Sequence, residues 1–392
     1  MIEPPDAAPP VPPLPPYDDR PPRPDETTAA DQRSPNPNPT PSPFWPAPPA
    51  VDLSPRPFHF TGQGGEYFRI WIVNLLLSVV TLGIYSAWAK VRRLRYFYGH
   101  TALDGASFGY HASPITILKG RLIAYAVVFT LALLSDVAPL AASVLYLPIL
   151  VLAPIIVVRS FRFRAANSSY RGIRFGFDGL DTDAYTVFLL LPMLVPVTLG
   201  LAYPYVTKRQ REFFVGDSRY GRAQFGLELP TGRVYRIYVL AAIGSLLWFG
   251  IALSTFISAV FADGKIDPDA RPGPGVLAGA ALIYAGFGVT LVAVKTAFEN
   301  LVWNNTMLDR HRFESRLRTG RMLSLYATNI LGIIATLGLF VPWARIRMAR
   351  YRAESLTLRP GGPLMSASMA GGLEAEAAGA ELTDAMDLDF GL

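Results

Sequence analysis

The stretch TLGIYSAWAKVRRLRYF, residues 81–97, begins like the middle of a membrane helix and ends in a basic run. Gly83 lies among its apolar residues, and glycine tolerates backbone angles that other residues resist. The tripeptide Thr-Leu-Gly occurs again at residues 198–200 and 336–338, followed each time by apolar residues and then by an aromatic residue. We call these tripeptides the TLG motifs, and they predict three related membrane-associated segments.

The composition indicates a membrane protein. Of the 392 residues, 51% are hydrophobic and only 17% are charged, whereas a soluble domain has roughly 25% charged residues. The chain has no cysteine, which excludes disulfides, thiol nucleophiles and cysteine-ligated zinc. The net charge of +6 comes from basic residues beside apolar segments, so we expect the partner to be the lipid bilayer with its anionic headgroups, and not nucleic acid.

Three regions follow from the distribution of residue types. Residues 1–57 contain 21 of the 35 prolines and almost no periodic apolar pattern, which predicts a disordered tail. Residues 359–392 are small and acidic, and we predict a second disordered tail there. Residues 58–358 should form the membrane domain.

The membrane domain reads as an α-helical, multi-pass protein built from tandem repeats. It has about seven apolar segments, at roughly 67–89, 115–135, 137–158, 184–206, 235–261, 275–298 and 321–344. Successive TLG motifs are separated by 117 and 138 residues, and Phe58, Phe175 and Phe313 show the same two offsets. Shared offsets between separate landmarks indicate repeats. The predicted units are 58–174, 175–312 and a shorter 313–358.

The charges beside the apolar segments predict an orientation. Basic residues follow every TLG motif, and we predict that they face lipid headgroups on the cytoplasmic side. The residues chosen are Arg92, Arg95, Arg209, Arg347 and Arg350. The links near Asp136 and within 262–271 should be periplasmic, and both tails should be cytoplasmic.

The second and third TLG segments have basic residues at both ends, so both ends should lie on one side of the bilayer. A helix over 67–89 would be about 35 Å long, enough for one crossing and too short for two. We therefore predict that the chain breaks at Gly83, Gly200 and Gly338 and re-enters, with four other segments spanning fully. Seven straight spans are the alternative.

Short β-hairpins should lie between the membrane segments. Alternating polar and apolar residues flank turn residues in HTALDGASFGY at 100–110, and three similar stretches follow later in the chain. Two half-hairpins remain, at 58–61 and 355–358, and we predict that they pair with each other.

The run FHFTGQGGEYFRIWIVNLLLSVVTLGIYSAWAKVRRLRYFYGHTALDG, with ILKGR at 117–121, resembles the YjgN-like family of bacterial inner-membrane proteins. The general pattern covers about residues 58–358. The resemblance implies a multi-pass protein of the bacterial inner membrane, and it carries over no catalytic residue.

Few residues suggest chemistry. Asn74 and Asn329 lie within apolar segments, where polar side chains face protein or water, either to join helices or to line a passage. Trp88 and Trp343 should be interfacial anchors. We find no catalytic motif and expect no catalytic, cofactor or metal site and no enzymatic activity. The first functional hypothesis is transport or passage of a small or lipid-like solute, and the alternative is a non-catalytic scaffold that organises lipid.

Overall fold

A computed structural model describes residues 52–261 and 273–362. The predicted tail disorder and the predicted periplasmic loop at 262–271 fall outside these ranges, except for 52–57 and 359–362. The predicted fold class holds at the coarse level, because the described chain is predominantly helical and contains helices long and apolar enough to cross a membrane.

Eleven α-helices form within the described ranges. They are α1 Gly64–Val80, α2 Ser86–His100, α3 Pro114–Val137, α4 Pro139–Ala166, α5 Asp181–Tyr185, α6 Leu191–Val197, α7 Tyr203–Gly216, α8 Thr231–Phe261, α9 Pro274–Asn305, α10 Thr319–Ala335 and α11 Val341–Glu354. A π-helical turn, Thr186–Leu190, joins α5 to α6. Neighbouring helices pack against each other in chain order, and α1 also packs against α11.

Four of these helices, α3, α4, α8 and α9, are the candidate membrane spans. The 31 residues of α8 extend about 46 Å, against a hydrocarbon core of about 30 Å. Only 6% of the most apolar 18-residue window of α8 is buried within the protein. Such extensive exposed apolar surface requires lipid around it.

Each TLG segment is a pair of shorter antiparallel helices. The pairs are α1 with α2, α5–α6 with α7, and α10 with α11. The 17 residues of α1 extend about 26 Å and the 14 residues of α11 about 21 Å, less than one full crossing. The seven apolar segments of the sequence therefore correspond to four long helices and three helical hairpins, whose second helices continue well into the basic flanks.

In the part of the chain that the structure describes, ten short strands lie between the helical pairs or at the two ends of the series. They are β1 Arg56–Phe60, β2 Thr101–Leu103, β3 Ala106–Tyr110, β4 Ser168–Tyr170, β5 Ile173–Phe177, β6 Ser218–Tyr220, β7 Ala223–Leu227, β8 Thr306–Leu308, β9 His311–Ser315 and β10 Leu356–Arg359. Strands β2–β3, β4–β5, β6–β7 and β8–β9 pair as hairpins at the positions that the sequence suggested. Asp104 and Gly105 have φ of 49° and 75°, as the tight primed turns of hairpins require.

The two end strands pair antiparallel, but with a register that differs from the predicted one. Arg56 lies opposite Leu358 and Pro57 opposite Thr357, whereas Phe58–Phe60 pair with β2 on the other side. The predicted match of 58–61 with 355–358 is thus shifted, because β1 divides its length between two neighbours.

Cysteine cross-linking checks this register. Pro57→Cys combined with Thr357→Cys should form a disulfide readily, since directly opposed Cβ atoms lie about 4.5–5.5 Å apart. His59→Cys combined with Thr357→Cys is the control and should cross-link less, because His59 lies opposite Ala102. Preferential cross-linking of the control pair would show that the register is wrong.

Candidate functional site

The TLG motifs form the turns of the three helical hairpins. Gly83, Gly200 and Gly338 have φ of 91°, 89° and 94°. The leucine before each of them also has a positive φ, at 48°, 51° and 51° for Leu82, Leu199 and Leu337. A bulky residue in the left-handed region is uncommon and strained.

The hydrogen bonds explain why threonine and glycine accompany this leucine. The amide of Gly83 donates to the carbonyl of Ser78 at 2.7 Å, and the amide of Leu82 donates to that of Val79, which is the Schellman pattern at a helix end. The Thr81 hydroxyl donates to the Leu77 carbonyl at 2.7 Å and accepts from the Tyr85 amide at 2.9 Å. One side chain therefore links the end of α1 to the start of α2. The other two motifs repeat these bonds.

The turns present leucine to the surroundings of the protein. Leu82, Leu199 and Leu337 are 95%, 94% and 94% exposed. The residues beside them are also apolar and exposed, including Val80 and Val197. The three hairpin tips are therefore apolar surfaces suited to the interior of a bilayer.

Asn329 joins the two helices of the third hairpin. It is 6% exposed, its Nδ2 donates to the Ala344 carbonyl at 3.3 Å, and its Oδ1 accepts from Arg347 Nη1 at 2.8 Å. Arg347 Nη2 also donates to the Thr328 hydroxyl at 3.1 Å. Arg347 is half-buried and directed toward α10, where Asn329 offers it an acceptor, and its contact with headgroups stays a prediction.

Asn74 is the counterpart in the first hairpin, and its environment differs. It is 7% exposed, and its Oδ1 has no hydrogen-bond partner among the described residues. Arg92, which corresponds to Arg347, is exposed and lies over the Tyr85 ring at 5.8 Å. Phe340 occupies the place of Tyr85 in the third hairpin.

A polar contact ties the first hairpin to α3. Arg121 donates from Nη1 to the Ser86 hydroxyl, which donates to the carbonyl of Gly83. The TLG turn is thereby connected to a candidate span. The sequence pattern did not reveal this contact, because it joins residues 35 positions apart on different helices.

The two tryptophans are packed against protein. Trp88 stacks on Tyr85 with centroids 6.0 Å apart and borders a buried cluster on α2, α3 and α4. Trp343 contacts Phe68 at 5.0 Å and stacks on Phe340 at 6.0 Å, which bridges α11 and α1. Their predicted role at the interface stays a prediction.

The remaining predicted headgroup contacts are exposed arginines on the strand side of the helices. Arg95 donates to the Ala112 carbonyl at 3.3 Å, Arg350 to the Gly62 carbonyl at 2.8 Å, and Arg209 pairs with Glu212 at 3.3 Å. All three residues are exposed, and their contact with lipid headgroups stays a prediction.

Aromatic side chains on one face of the strands form a cluster, and we call this face the inward face. The rings of Phe58, Phe108, Phe175, Phe225 and Phe313 stack in that order, with centroids 6.1, 6.4, 6.4 and 6.2 Å apart. Phe58, Phe175 and Phe313 are separated by 117 and 138 residues, the same offsets as the TLG motifs. This repeated spacing was the feature of the sequence that pointed to them.

Two tyrosines cross-connect the strands around this cluster. The Tyr170 hydroxyl donates to the Leu103 carbonyl at 2.7 Å, and the Tyr220 hydroxyl donates to the Tyr170 carbonyl at 3.0 Å. Burial raises the pKa of Tyr220 to about 12, so it keeps its proton and its role as donor at neutral pH.

Within residues 52–261 and 273–362, no group of three or more histidine, aspartate or glutamate side chains is placed to hold a metal ion. The polar groups brought together here hold helices and strands to each other, and the exposed groups are apolar tips and arginines.

The chain is similar to known bacterial proteins over most of its length. Residues 55–385 match a family described as "Bacterial protein of unknown function (DUF898)". The chain is 26% identical over 347 residues to the inner membrane protein YjgN of Salmonella typhimurium, covering 76% of this chain and 86% of that protein. It is 25% identical over 358 residues to YjgN of Escherichia coli K12, covering 79% and 89%. No solved structure matches the chain.

Proposed function

The chain belongs to the DUF898 family of bacterial proteins of unknown function and is YjgN-like. We propose that it organises lipid in the inner membrane without catalysing a reaction. Its association with a bilayer follows from the four long apolar helices and from its similarity to proteins that are named inner membrane proteins. The lipid-organising role is supported by the shape of the TLG hairpins.

We place the strands and the exposed arginines on the cytoplasmic side. Every helical pair begins and ends at strands, so the links that the structure describes, those of the three TLG hairpins and of α3 with α4, lie at the opposite end of their helices from the strands. Asp136 is exposed at such a link, between α3 and α4, and should face the periplasm. This arrangement makes both tails cytoplasmic.

The observation that carries the proposal is the short distance along the chain between each exposed hairpin tip and the basic residues that follow it, from which we infer the depth of the tip. Leu82 lies ten residues before Arg92, which corresponds to about 15 Å along a helix and is close to half of a 30 Å hydrocarbon core. With Arg92 at the headgroups, the leucine tip lies near the middle of the bilayer. The three hairpins then occupy the cytoplasmic leaflet alone, while α3, α4, α8 and α9 occupy both leaflets.

This difference gives the protein a direct effect on lipid. The acyl chains of the periplasmic leaflet must cover the three leucine tips, because no other part of a half-depth hairpin fills that volume. The cytoplasmic leaflet must accommodate three extra helical pairs. The protein would thus impose unequal lipid packing on the two leaflets around it.

Passage of a small or lipid-like solute remains the alternative. The stacked phenylalanine rings leave a cavity of only about 90 Å³ between the strands, so a solute passing between the strands would have to displace them. We also propose that the three TLG hairpins are copies of one ancestral unit, supported by their shared hydrogen bonds and sequence offsets.

Depth-dependent quenching tests the hairpin depth. Leu82→Cys, carrying a bimane fluorophore and reconstituted in lipid, should be quenched most strongly by lipids brominated near the ends of their acyl chains. The chain has no native cysteine, so the label is specific. Strongest quenching by headgroup-proximal bromine, or labelling by a periplasmic aqueous thiol reagent, would contradict the half-depth hairpin.

Two further variants test the proposed orientation. Asp136→Cys should react with an impermeant thiol reagent in spheroplasts, and Arg222→Cys, in the turn between β6 and β7, should react only after permeabilisation. Proteoliposomes should show no flipping of fluorescent lipid above protein-free vesicles. Rapid flipping would favour the passage hypothesis.

A further inference from the structure

An open pocket of about 440 Å³ with a mixed polar and apolar lining lies against β3, β4 and β5. Ser107, Phe108 and Gly109 of β3 border it, and the ring of Phe108 stacks in the aromatic cluster on the inward face. Because side chains along a strand alternate between faces, the cavity opens on the outward face. We call it the β3–β5 pocket, and its polar lining consists of Ser107, His111, Ser169, Arg171 and Arg174.

Two of its groups are held in position by neighbours. Arg171 Nη2 donates to the Asp104 carbonyl at 3.0 Å and to Asp104 Oδ2 at 2.7 Å, and its guanidinium lies over the Tyr170 ring at 5.5 Å. His111 Nε2 lies 2.7 Å from the Ser169 hydroxyl. A ligand entering the pocket would meet donors that are already ordered.

The pocket carries an excess of positive charge. Asp104 pairs with both Arg56 and Arg171, so one carboxylate is shared by two guanidinium groups. Arg174 is exposed and has no ion pair within the described part of the chain; its Nη1 donates to the Ala166 carbonyl at 3.4 Å. No acidic residue lines the cavity.

Gly109 leaves the space that this arrangement needs. A Cβ atom at that position would lie 2.7 Å from the Ser169 hydroxyl oxygen and 2.9 Å from His111 Nε2. Any side chain at 109 would therefore separate the serine from the histidine or close that wall of the pocket.

We propose that the β3–β5 pocket binds the phosphate group of a small phosphorylated molecule. Guanidinium groups match the oxygens of a phosphate, and the hydroxyl and imidazole groups supply further hydrogen bonds. The cavity is larger than a bare phosphate ion, which suits a phosphate ester. The ester comes either from solution or from a lipid headgroup, and both present the same chemistry. This site is separate from the lipid-organising role of the hairpins.

The test uses the full chain in phosphatidylcholine nanodiscs, titrated calorimetrically with inorganic phosphate and with glycerol 3-phosphate. Both should bind saturably, the ester more tightly. Arg174→Ala should weaken binding about tenfold or more, as expected for loss of a hydrogen bond from a charged group. Arg312→Ala is the matched control, since Arg312 lies 138 residues later on β9 and is equally exposed, and it should leave affinity unchanged.

Nanodiscs that contain phosphatidylglycerol separate the two sources. Weaker apparent binding of glycerol 3-phosphate in those discs assigns the pocket to a headgroup, and unchanged binding assigns it to a soluble ester. Melting temperatures show whether each variant is folded, and Ser107→Ala, which should weaken binding more mildly, serves if Arg174→Ala does not fold. The proposal is overturned if neither phosphate compound binds saturably, or if Arg312→Ala weakens binding as much as the folded pocket variant.

Discussion

Replacing Gly83 with valine should lower the free energy of unfolding by about 1–3 kcal/mol, because a β-branched residue would be held at a φ of 91°. Nothing lies within 4 Å of a Cβ built at Gly83, so the loss would come from the backbone angle and not from a collision. Thermal unfolding in detergent measures it. The equivalent changes at Gly200 and Gly338 should cost a similar amount, since the three turns have the same geometry.

Gly250 supplies the matched control. It lies inside α8 with equally open space around its Cα, and its φ is not positive. Gly250→Val should therefore be close to neutral, as valine has a better helix propensity than glycine. Gly83→Asn should be milder than Gly83→Val, because asparagine visits the left-handed region more easily. Equal stability of Gly83→Val and the parent would support a straight helix through the motif.

Replacing Asn329 with leucine should lower the free energy of unfolding by about 1.5–3 kcal/mol, the usual range for losing a hydrogen bond to a charged group. Arg347 would keep its half-buried position between α10 and α11 without its amide acceptor. The loss should appear as a lower melting temperature in lipid nanodiscs. Arg347→Ala should be about as harmful as Asn329→Leu, and the double variant should lose less than the sum of the two.

Asn74→Leu is the natural control, since Asn74 is buried to the same degree in the matching place of the first hairpin. Its Oδ1 has no partner, so leucine would remove an unsatisfied group and should leave stability unchanged or raise it. If Asn74→Leu strongly lowered stability and Asn329→Leu did not, the hydrogen bonding assigned to the two asparagines would be wrong.

Much of the first hairpin could be predicted from the TLG motif and its basic flank. Glycine marked the turn, and the basic flank marked the second helix, whereas the return of that helix to the headgroups stays a prediction. The left-handed leucine could not be predicted, because isolated propensities disfavour it and only the surrounding Schellman bonds and threonine bridge hold it there.

The contact between Asn329 and Arg347 could be predicted from the spacing of the two residues about Gly338, although not from composition. Each lies nine residues from Gly338, on either side, so folding back at that glycine brings them face to face. Asn74 and Arg92 have the same spacing about Gly83, yet they do not meet, because Arg92 lies over Tyr85. Sequence symmetry thus predicts which positions oppose each other, and local aromatic chemistry decides whether they bond.

The strand register was harder to predict than the strands themselves. Turn residues such as Asp104 and Gly105 located the hairpins from local sequence. The pairing of β1 with both β10 and β2 depends on residues far apart in the chain, for which local patterns carry little information. The β3–β5 pocket was missed for the same reason, since Arg171 and His111 meet only after β3 and β4 pair.

The short TLG hairpins also bear on how the protein is made. In the third hairpin, Arg321 near the start of α10 and Arg345 near the start of α11 lie on either side of a tip that carries no charge. If the tip stops mid-bilayer, neither arginine has to be translocated, which spares about 2.5–3.5 kcal/mol for each charge moved through the centre. Asp136, by contrast, is carried across the bilayer between α3 and α4 in the proposed orientation. During biogenesis the hairpins would thus enter from the ribosome side without moving an arginine through the bilayer.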